Sequence, residues 1–386
     1  MSDTSPIYLD YAATAPLHPD AARAVLSGQA LIGNPSSTHH AGQLATEALA
    51  KARQSVARLL GVAPDEVILT SGGSESNTTA LWGTFAARGF TGHMVTTSIE
   101  HSSILENARA LASLGVEVTF VDPGPDGHIA AADIASALRP DTALISVMHA
   151  NNETGAIQPI AMIAETARRT GIALHVDAVQ TAGKIDIAAL GAQLVSISAH
   201  KFGGPRGVGA LAVRTGHNLA PLIRGGGQEA GHRAGTENVP GAMGMAAAAE
   251  LCIDRMSAAH RLAMATLRRR LIEGLYEIGG VHLNATEPVI EETVSVRFDR
   301  IRADTLADML DLQGVYVSTG SACHAMDDVV SHVLTSQGLT ETESRSAMRF
   351  SFGPEISAED IDLAVAASAQ AVDRLRRTAG KSAVRR

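Results

Sequence analysis

Short apolar runs alternate with helical patterns between residues 66 and 213, and this alternation restricts the fold more than any other feature of the chain. Strand–helix–strand repeats build parallel sheets, because a crossover helix returns the chain to the same end of the sheet. The sequence therefore predicts an α/β fold whose mostly parallel sheet is covered by helices on both faces. The predicted strands, the last of them an antiparallel return, are residues 66–70, 93–98, 116–121, 143–149, 173–176, 194–198 and 209–213.

The pattern changes near residue 250. A continuous helical pattern from Gly241 to about Leu275 predicts one long helix that bridges two domains. The strand and helix signals that follow it are mixed, which favours a smaller α+β domain. Since 386 residues are enough for about two domains, we expect a large domain over residues 14–250 and a small one made of residues 1–13 and 251–386.

Composition and charge argue against several classes of partner. The net charge is −9 and no basic block is long enough for a nucleic-acid groove, so we expect no direct nucleic-acid binding. No apolar stretch reaches the roughly 18 residues of a membrane span, and the polar N-terminus predicts no secretory signal. Two cysteines, Cys252 and Cys323, argue against a disulfide framework. We therefore expect a cytoplasmic protein.

A lysine stands in a glycine-rich turn after a mostly apolar run. The run covers residues 192–197, and Lys201 follows it, just before Gly203 and Gly204. Burying an ammonium is costly unless it is paired or loses its proton, and a lysine in such surroundings can form a Schiff base with a carbonyl compound. A surface lysine in an ordinary strand-to-turn connection is the alternative interpretation.

Two further motifs lie at predicted strand ends. Gly73 and Ser74 begin a helix directly after a strand, which predicts a helix N-terminus that binds phosphate; a tight turn with a serine cap fits the same residues. Asp177 follows the strand at 173–176, at the edge where open α/β sheets bind ligands, although it also fits the N-cap of the next helix. A phosphate cradle, a lysine and an aspartate on one sheet are what pyridoxal 5′-phosphate (PLP) requires, so the sequence predicts this cofactor.

A histidine and two amides are candidates for the same site. His101 lies between a strand and a helix, where an imidazole can stack on a cofactor ring and move protons, or simply begin the helix. Asn152 and Gln180 also follow strands and could bind the phenolic oxygen of the cofactor. Ordinary turn chemistry explains these two amides as well.

Two residues in the second half of the chain have chemistry of their own. Cys323 lies in a loop of small residues, which would keep a thiol accessible, or it is an incidental loop cysteine. Arg349 stands in an apolar strand, where it would bind a carboxylate or form a buried ion pair. In contrast, Cys252 lies inside an apolar run and is expected to be an inert core thiol.

Together these motifs resemble those of PLP-dependent cysteine desulfurases, of the class V aminotransferase-like group with fold type I. The resemblance covers nearly the whole chain, from residues 8–14 to the last helix. It implies a seven-stranded, mostly parallel sheet, and an enzyme that converts L-cysteine to L-alanine while a persulfide forms on Cys323. Its most specific pieces are residues 33–37, 198–201, 225–229, 233–238 and 320–323.

The resemblance also implies roles for single residues. Lys201 would hold the cofactor aldehyde and later move the α-proton, and Cys323 would attack the substrate sulfur. His101, Asp177 and Gln180 would contact the cofactor ring, its nitrogen and its phenolic oxygen. The phosphate contacts would be Gly73, Ser74, Ser198, His200 and, from the neighbouring subunit of a homodimer, Thr236. The substrate contacts would be Asn34, Asn152 and Arg349.

The long segment between Cys323 and Ser331 resembles the long-loop group of the family, in which the loop delivers the persulfide to partner proteins. The acceptor stays open between an iron–sulfur scaffold, a tRNA-thiolation enzyme and other thiolation partners, and so does a transient iron–sulfur ligation by Cys323. Departures from the usual pattern, at Asp328, Ala230, His232 and His324, bear on the loop conformation and the acceptor. A selenocysteine lyase, an aminotransferase and a cofactor-binding scaffold protein are the alternative functions; Cys323 favours desulfuration.

Overall fold

The computed structural model describes residues 6–319 and 330–383 of the chain. Strands and helices are numbered along the chain, and β1 (Ile7–Tyr8) belongs to a small pair described below. The strands of the largest sheet are β2 (Val67–Thr70), β3 (His93–Thr97), β4 (Glu117–Val121), β5 (Thr142–Met148), β6 (Ala173–Asp177), β7 (Leu194–Ser198) and β8 (Gly209–Val213).

This sheet has seven strands within the described ranges, in the order β2-β8-β7-β6-β5-β3-β4. Neighbouring strands are parallel except at β8, which runs antiparallel to both β2 and β7. The predicted fold class is therefore confirmed, together with the antiparallel return at residues 209–213. The strand bounds differ from the predicted ones by one residue or none.

The sheet is buried on both faces, since successive residues of its strands enter different apolar cores. Val95 packs into one core and Met94 into the other, and Ile145 and Leu144 divide in the same way on β5. All four side chains are fully buried. Such strands have no polar face, which explains why the sequence shows continuous apolar runs in place of an alternating pattern.

Helices cover both faces of the sheet. They are α1 (Pro19–Gln29), α2 (His40–Leu60), α3 (Gly73–Ala86), α4 (Ser102–Ser113), α5 (Ala131–Ser136), α6 (Ile160–Thr170) and α7 (Val239–Arg255). Helices α3 and α4 pack on one face, whereas α2, α6 and α7 pack on the other. Helix α1 was not predicted; only Ala21 and Gly28 of its residues are buried.

The second half of the chain builds two smaller sheets in the described ranges. β1 pairs in parallel with β11 (Val315–Tyr316). An antiparallel sheet has the order β12-β13-β10-β9, with β9 (Val281–Leu283), β10 (Thr293–Phe298), β12 (Ser318–Thr319) and β13 (Ala347–Ser351). The helices here are α8 (Ala258–Glu277), α9 (Ala303–Asp311), α10 (His332–Ser336), α11 (Glu341–Ser344) and α12 (Ala358–Ala383). Helices α8, α9 and α12 share an apolar core that includes Ile7 and Leu9.

The expectation of a single helix from Gly241 to about Leu275 is wrong. Helix α7 ends at Arg255 and α8 begins at Ala258, and the hydroxyl of Ser257 accepts the amide N–H of His260 at 3.3 Å. A serine in extended conformation that caps one helix interrupts the helix before it. Helix α7 packs on α1 and α2, whereas α8 packs on α12. None of the described helices is long and apolar enough to cross a membrane.

A buried ion pair fastens the edge strand β2 to the turn at residues 229–231. Arg53 donates from Nη1 and Nη2 to the two carboxylate oxygens of Glu229 at 2.6 and 2.7 Å, and the amide of Leu69 donates to Oε2 at 2.8 Å. The Glu229 side chain is only 2% exposed. One carboxylate thus satisfies three donors and holds β2 in place just before the turn that begins α3.

Replacing Glu229 with alanine should lower the free energy of unfolding by about 3 kcal/mol, because the mostly buried Arg53 loses its carboxylate partner, keeping only the Val67 carbonyl, and the buried Leu69 amide loses its acceptor. Urea unfolding followed by circular dichroism measures this loss. The control is Glu250→Ala, which removes an exposed ion pair with Arg58 and should cost less than about 1 kcal/mol. Equal losses in the two variants would contradict the role of the buried pair.

Candidate active site

A cavity of about 280 Å³ lies at the carboxyl ends of β5, β6 and β7, beside the first turns of α3 and α4. This is the edge at which open α/β sheets bind ligands. Residues from distant parts of the chain meet here, including both predicted amides and the predicted arginine. The predicted site residues that line the cavity are Gly73, Ser74, His101, Asn152, Asp177, Gln180, Ser198, His200, Lys201 and Arg349.

Lys201 reaches the cavity from a short helical turn after β7. Its ammonium donates to the carbonyl oxygens of Ala12 at 2.7 Å and Ala13 at 2.9 Å, two residues that line the same cavity. Gln180 donates from Nε2 to the Ala12 carbonyl as well, at 3.0 Å. The interpretation of Lys201 as an ordinary surface lysine does not fit this placement, because its amine is held at the cavity wall.

His200 precedes Lys201 and lines the cavity as a neutral side chain. Its Nδ1 lies 3.2 Å from Oγ1 of Thr14. Burial lowers the pKa of His200 to about 4, and the positive charges of Lys201 and Arg206 act in the same direction. The imidazole can therefore hydrogen-bond a ligand at neutral pH but does not add a positive charge.

Asp177 ends β6 and is 6% exposed. Its Oδ1 accepts the amide N–H of Val179 at 3.0 Å, and its Oδ2 accepts from Nδ2 of Asn77 at 2.7 Å. No helix directly follows Asp177, so the helix N-cap interpretation is wrong; the carboxylate instead caps the turn after the strand and lines the cavity.

The first turn of α3 forms a backbone cradle beside the cavity. The helix begins at Gly73, where a Cβ would lie 2.7 Å from Cγ2 of Val179, closer than carbon atoms pack. A glycine is needed for the backbone to pass there. The first amide groups of a helix have no partner within the helix and bind anions readily. Ser74 and Ser198 line the cavity next to this turn.

Arg349 comes from β13 and is 3% exposed. Its Nη2 donates to Oδ1 of Asp10 at 2.7 Å, so the alternative of a buried ion pair is present. Its Nη1 donates to the carbonyl of Asn152, also at 2.7 Å. Its Nε is buried and has no hydrogen-bond partner among the described residues. A guanidinium has five N–H donors, so hydrogens of Nη1 and Nη2 that the contacts with Asp10 and Asn152 do not use remain for a ligand in the cavity.

Among the described residues, two predicted site residues do not line the cavity. Asn34 and Thr236 are exposed, and Oδ1 of Asn34 accepts the amide N–H of Ser36 at 2.8 Å within its own turn. Cys323 lies outside the described residues, and so does its suggested iron–sulfur ligation. In the part of the chain that the structure describes, no group of three or more His, Cys, Asp or Glu side chains could hold a metal ion.

The prediction that Cys252 is a core thiol is confirmed. The residue is 6% exposed and packs in the core of the large sheet. Burial raises the pKa of its thiol to about 12. Because the thiolate is the nucleophilic form, Cys252 is unreactive at neutral pH.

The sequence analysis missed Asn77, Ser103 and Asp10. Asn77 and Ser103 line the cavity from the first turns of α3 and α4. Asn77 follows Ser74 by three residues and Ser103 follows His101 by two, and this closeness to predicted site residues at the start of a helix was the available signal. Asp10 contacts Arg349 from a segment with no periodicity. The carbonyl groups of Ala12 and Ala13 have no side-chain signal at all.

Glu100 lies beneath the site and connects two strand ends. Its Oε1 accepts the amide N–H of Met148 at 2.9 Å and the hydroxyl of Thr97 at 2.7 Å. The side chain is fully buried, and this burial, with a smaller effect of the nearby Asp177 charge, raises the pKa of Glu100 to about 8. Glu100 is therefore protonated at neutral pH and structural in character.

Comparison with known proteins shows the family of the chain. Residues 7–363 match the family Aminotransferase class-V. The chain is 40% identical over 376 residues to a protein named cysteine desulfurase IscS from Dictyoglomus turgidum. The aligned residues cover 96% of this chain and 95% of that protein.

Solved structures agree with this match. A structure titled NifS-like protein is 34% identical with a TM-score of 0.89, over 95% of this chain and 99% of the other. A structure titled SspA in complex with cysteine is 35% identical with a TM-score of 0.80, over 90% of this chain and 99% of the other. The chain therefore belongs to the class V aminotransferase family. Within that family it is a cysteine desulfurase, a PLP-dependent enzyme that transfers sulfur.

The cavity fits PLP. The amide groups at the start of α3 suit a phosphate. Because Gly73 has no Cβ, the backbone at this turn stays accessible to such a group. Asp177 is the only acid among the described residues that line the cavity, and Lys201 supplies an amine at its wall. Arg349 lines the cavity as a cation that suits the carboxylate of an amino acid.

The pH dependence of stability tests the buried carboxyl group of Glu100. Its pKa is about 8 in the folded chain, against an ordinary value of 4.5, so folding favours the protonated form. The stabilisation is complete below about pH 4.5 and is lost as the pH rises to about 8. Glu100→Gln imitates the protonated form, and its free energy of unfolding should exceed that of the wild type by on the order of 3–5 kcal/mol at pH 9.

Urea titrations of both proteins between pH 5 and pH 9 measure this difference, which should nearly vanish at pH 5. Glu117→Gln, which changes an exposed carboxylate, should keep the pH dependence of the wild type. A Glu100→Gln variant that also kept it would show that Glu100 is not a buried, protonated group.

Proposed function

We propose that the cavity binds PLP and L-cysteine, and that the enzyme converts L-cysteine to L-alanine while Cys323 takes the sulfur as a persulfide. The observation that supports this most strongly is the meeting of Lys201, Asp177 and the N-terminus of α3 at one cavity. The related structure titled SspA in complex with cysteine supports the choice of substrate.

The residues around the cavity divide the recognition of PLP among them. Bound PLP supplies an electron sink for the α-carbon of an amino acid. Lys201 would hold its aldehyde, Asp177 would face the ring nitrogen, and Gln180 would face the phenolic oxygen. His101 would stack on the ring. The phosphate contacts would be the backbone at Gly73 and the side chains of Ser74, Ser198, His200 and, from a neighbouring subunit, Thr236.

Arg349 would bind the carboxylate of the substrate. Asp10 and the carbonyl of Asn152 each accept from one of its two terminal nitrogens, so the guanidinium is held in a defined orientation. A charge-assisted hydrogen bond from a buried guanidinium is stronger than a neutral one and suits an α-carboxylate. The side chain of Asn152 would add a second contact. Asn34 remains a proposed substrate contact, although it lies outside the cavity in this structure.

Two groups of the chain would carry out proton and sulfur transfer. Nζ of Lys201 would take the α-proton of the substrate. The thiolate of Cys323 would attack the substrate sulfur, and the carbon–sulfur bond would break. The sulfur would remain on Cys323 as a persulfide, and the carbon fragment would take up a proton and leave as L-alanine.

The oligomeric state, the sulfur acceptor, the domain bounds and the location are also proposals. The exposed position of Thr236 supports a homodimer, since the side chain would reach only a neighbouring subunit's cavity. The persulfide would pass to a sulfur-acceptor protein, in iron–sulfur cluster assembly or in tRNA or other thiolation. Two separate apolar cores support a large domain over residues 14–250 and a small one of residues 1–13 and 251–386. The low number of cysteines supports a cytoplasmic location.

Sulfide release tests the proposal and separates the two cysteines. With L-cysteine and a thiol reductant, the enzyme should form sulfide and alanine in equal amounts. Cys323→Ala should lower sulfide release at least about 100-fold, because it removes the nucleophile, and should leave the visible absorbance of the bound cofactor unchanged.

The matched control is Cys252→Ala, which changes the buried cysteine and should keep sulfide release within about twofold of the wild type. Wild-type sulfide release by Cys323→Ala would refute the role of Cys323. A wild-type enzyme that bound PLP and formed no alanine from L-cysteine would refute the proposed reaction itself.

A further inference from the structure

A chain of hydrogen bonds connects Asp177 to His101 through two residues that the proposed mechanism does not use. Nδ2 of Asn77 donates to Oδ2 of Asp177 at 2.7 Å and to Oγ of Ser103 at 2.9 Å. The same Oγ lies 2.8 Å from Nδ1 of His101. The backbone amide of Ser103 also donates to this Nδ1, at 3.1 Å. The four residues all line the cavity.

The partners fix the direction of each hydrogen bond. Both carboxylate oxygens of Asp177 act as acceptors, one for Asn77 and one for the amide of Val179. The NH₂ group of Asn77 must therefore face Asp177, because its carbonyl oxygen would be repelled there. The second hydrogen of that group goes to Ser103. Since Oγ of Ser103 accepts from Asn77, its own hydrogen remains for His101.

Nδ1 of His101 is consequently an acceptor from two donors, the hydroxyl and the backbone amide of Ser103. A hydrogen on Nδ1 would face the amide hydrogen of Ser103, which cannot turn away because it belongs to the backbone. A neutral imidazole with an acceptor at one nitrogen carries its hydrogen on the other.

We propose that Asn77 and Ser103 are positioning residues that lock His101 in the tautomer with its hydrogen on Nε2. In this tautomer Nε2 carries a hydrogen and cannot accept a proton, so His101 enters the reaction as a neutral hydrogen-bond donor at Nε2. The lock itself follows from the hydrogen bonds, and its consequence for the reaction rests on the proposed function.

Hydrogen bonds between α3 and α4 hold Ser103 in place for this role. Nδ2 of Asn107 donates to the carbonyl of Ser103 at 2.7 Å and to Oγ1 of Thr78 at 3.0 Å. Nε1 of Trp82 donates to Oδ1 of the same Asn107 at 2.6 Å. The two helices are thus joined by a row of polar contacts, and Ser103 has little freedom to turn its hydroxyl elsewhere.

Nitrogen NMR of the holoenzyme with ¹⁵N-labelled histidine measures the tautomer directly. The His101 signals are those that disappear in His101→Gln. We expect Nδ1 at the position of an unprotonated, hydrogen-bonded nitrogen and Nε2 at that of a protonated one. A protonated Nδ1 in the wild-type enzyme would overturn the proposal, and this measurement needs no further variant.

Ser103→Ala tests the contribution of the hydroxyl. The Nδ1 signal should move toward that of an unbonded nitrogen, and kcat for alanine formation should fall about tenfold, as expected for one lost hydrogen bond, with KM for L-cysteine within about twofold. Ser103→Thr should restore both readouts, because it keeps a hydroxyl. The control Ser113→Ala removes an exposed hydroxyl elsewhere on α4, one that donates to the carbonyl of Ala110 at 2.7 Å, and should leave both unchanged.

An Nδ1 signal and a kcat that both stay at the wild-type values in Ser103→Ala would contradict the lock. The tautomer is measured without turnover, so the two proposals fail separately. Hydrogen on Nδ1 in an enzyme that releases sulfide overturns the lock alone. Hydrogen on Nε2 in a protein that forms no alanine supports the lock and overturns the proposed function.

Discussion

The ammonium of Lys201 and two backbone carbonyls of the N-terminal loop hold that loop against the carboxyl edge of the large sheet. The same loop is bound from the other half of the chain. Asp10 receives a hydrogen bond from Arg349, and the amide of Ala12 donates to Oγ of Ser351 at 2.9 Å. Lys201 follows β7, whereas Arg349 and Ser351 belong to β13. The loop therefore joins the apolar core of the large sheet to that of the small antiparallel sheet, at the cavity. The site is therefore assembled at a junction, and its geometry depends on these few polar contacts.

Burial determines which of the titratable groups around this junction are charged. His200 is neutral because its pKa falls to about 4, and Glu100 is protonated because its pKa rises to about 8. The charged groups that remain at the cavity include Asp177 and the two cations Lys201 and Arg349. One acid, with cations and helix amides elsewhere in the cavity, matches a ligand that has a phosphate, a carboxylate and a basic nitrogen. The same effect of burial leaves Cys252 as an unreactive thiol, which supports the proposal that Cys323 takes the sulfur.

The sheet was predictable because its strands are buried on both faces, and the site was largely predictable because Lys201, Asp177 and Gly73 directly follow strands. Other features have no local signal. The carbonyls that hold Lys201 come from alanines, and Asn77 meets Asp177 across 100 residues of sequence. The break at Ser257 escaped notice because the helical pattern continues on both sides of it. The positions of Asn34, Thr236 and Cys323 relative to the substrate depend on a bound ligand, a second subunit or residues outside the described ranges, and their roles remain predictions.

The central claim is that Lys201 holds the cofactor. A second lysine, Lys184, provides an internal comparison for the test of this claim. Nζ of Lys184 donates to the carbonyl of Gln180 at 3.0 Å, and burial lowers its pKa, but Lys184 does not line the cavity. Borohydride reduction of the holoenzyme, followed by peptide mapping with mass spectrometry, identifies the lysine bound to PLP. The account predicts the added cofactor mass on Lys201 alone. Cofactor mass on Lys184, or an undiminished label in Lys201→Ala, would contradict it.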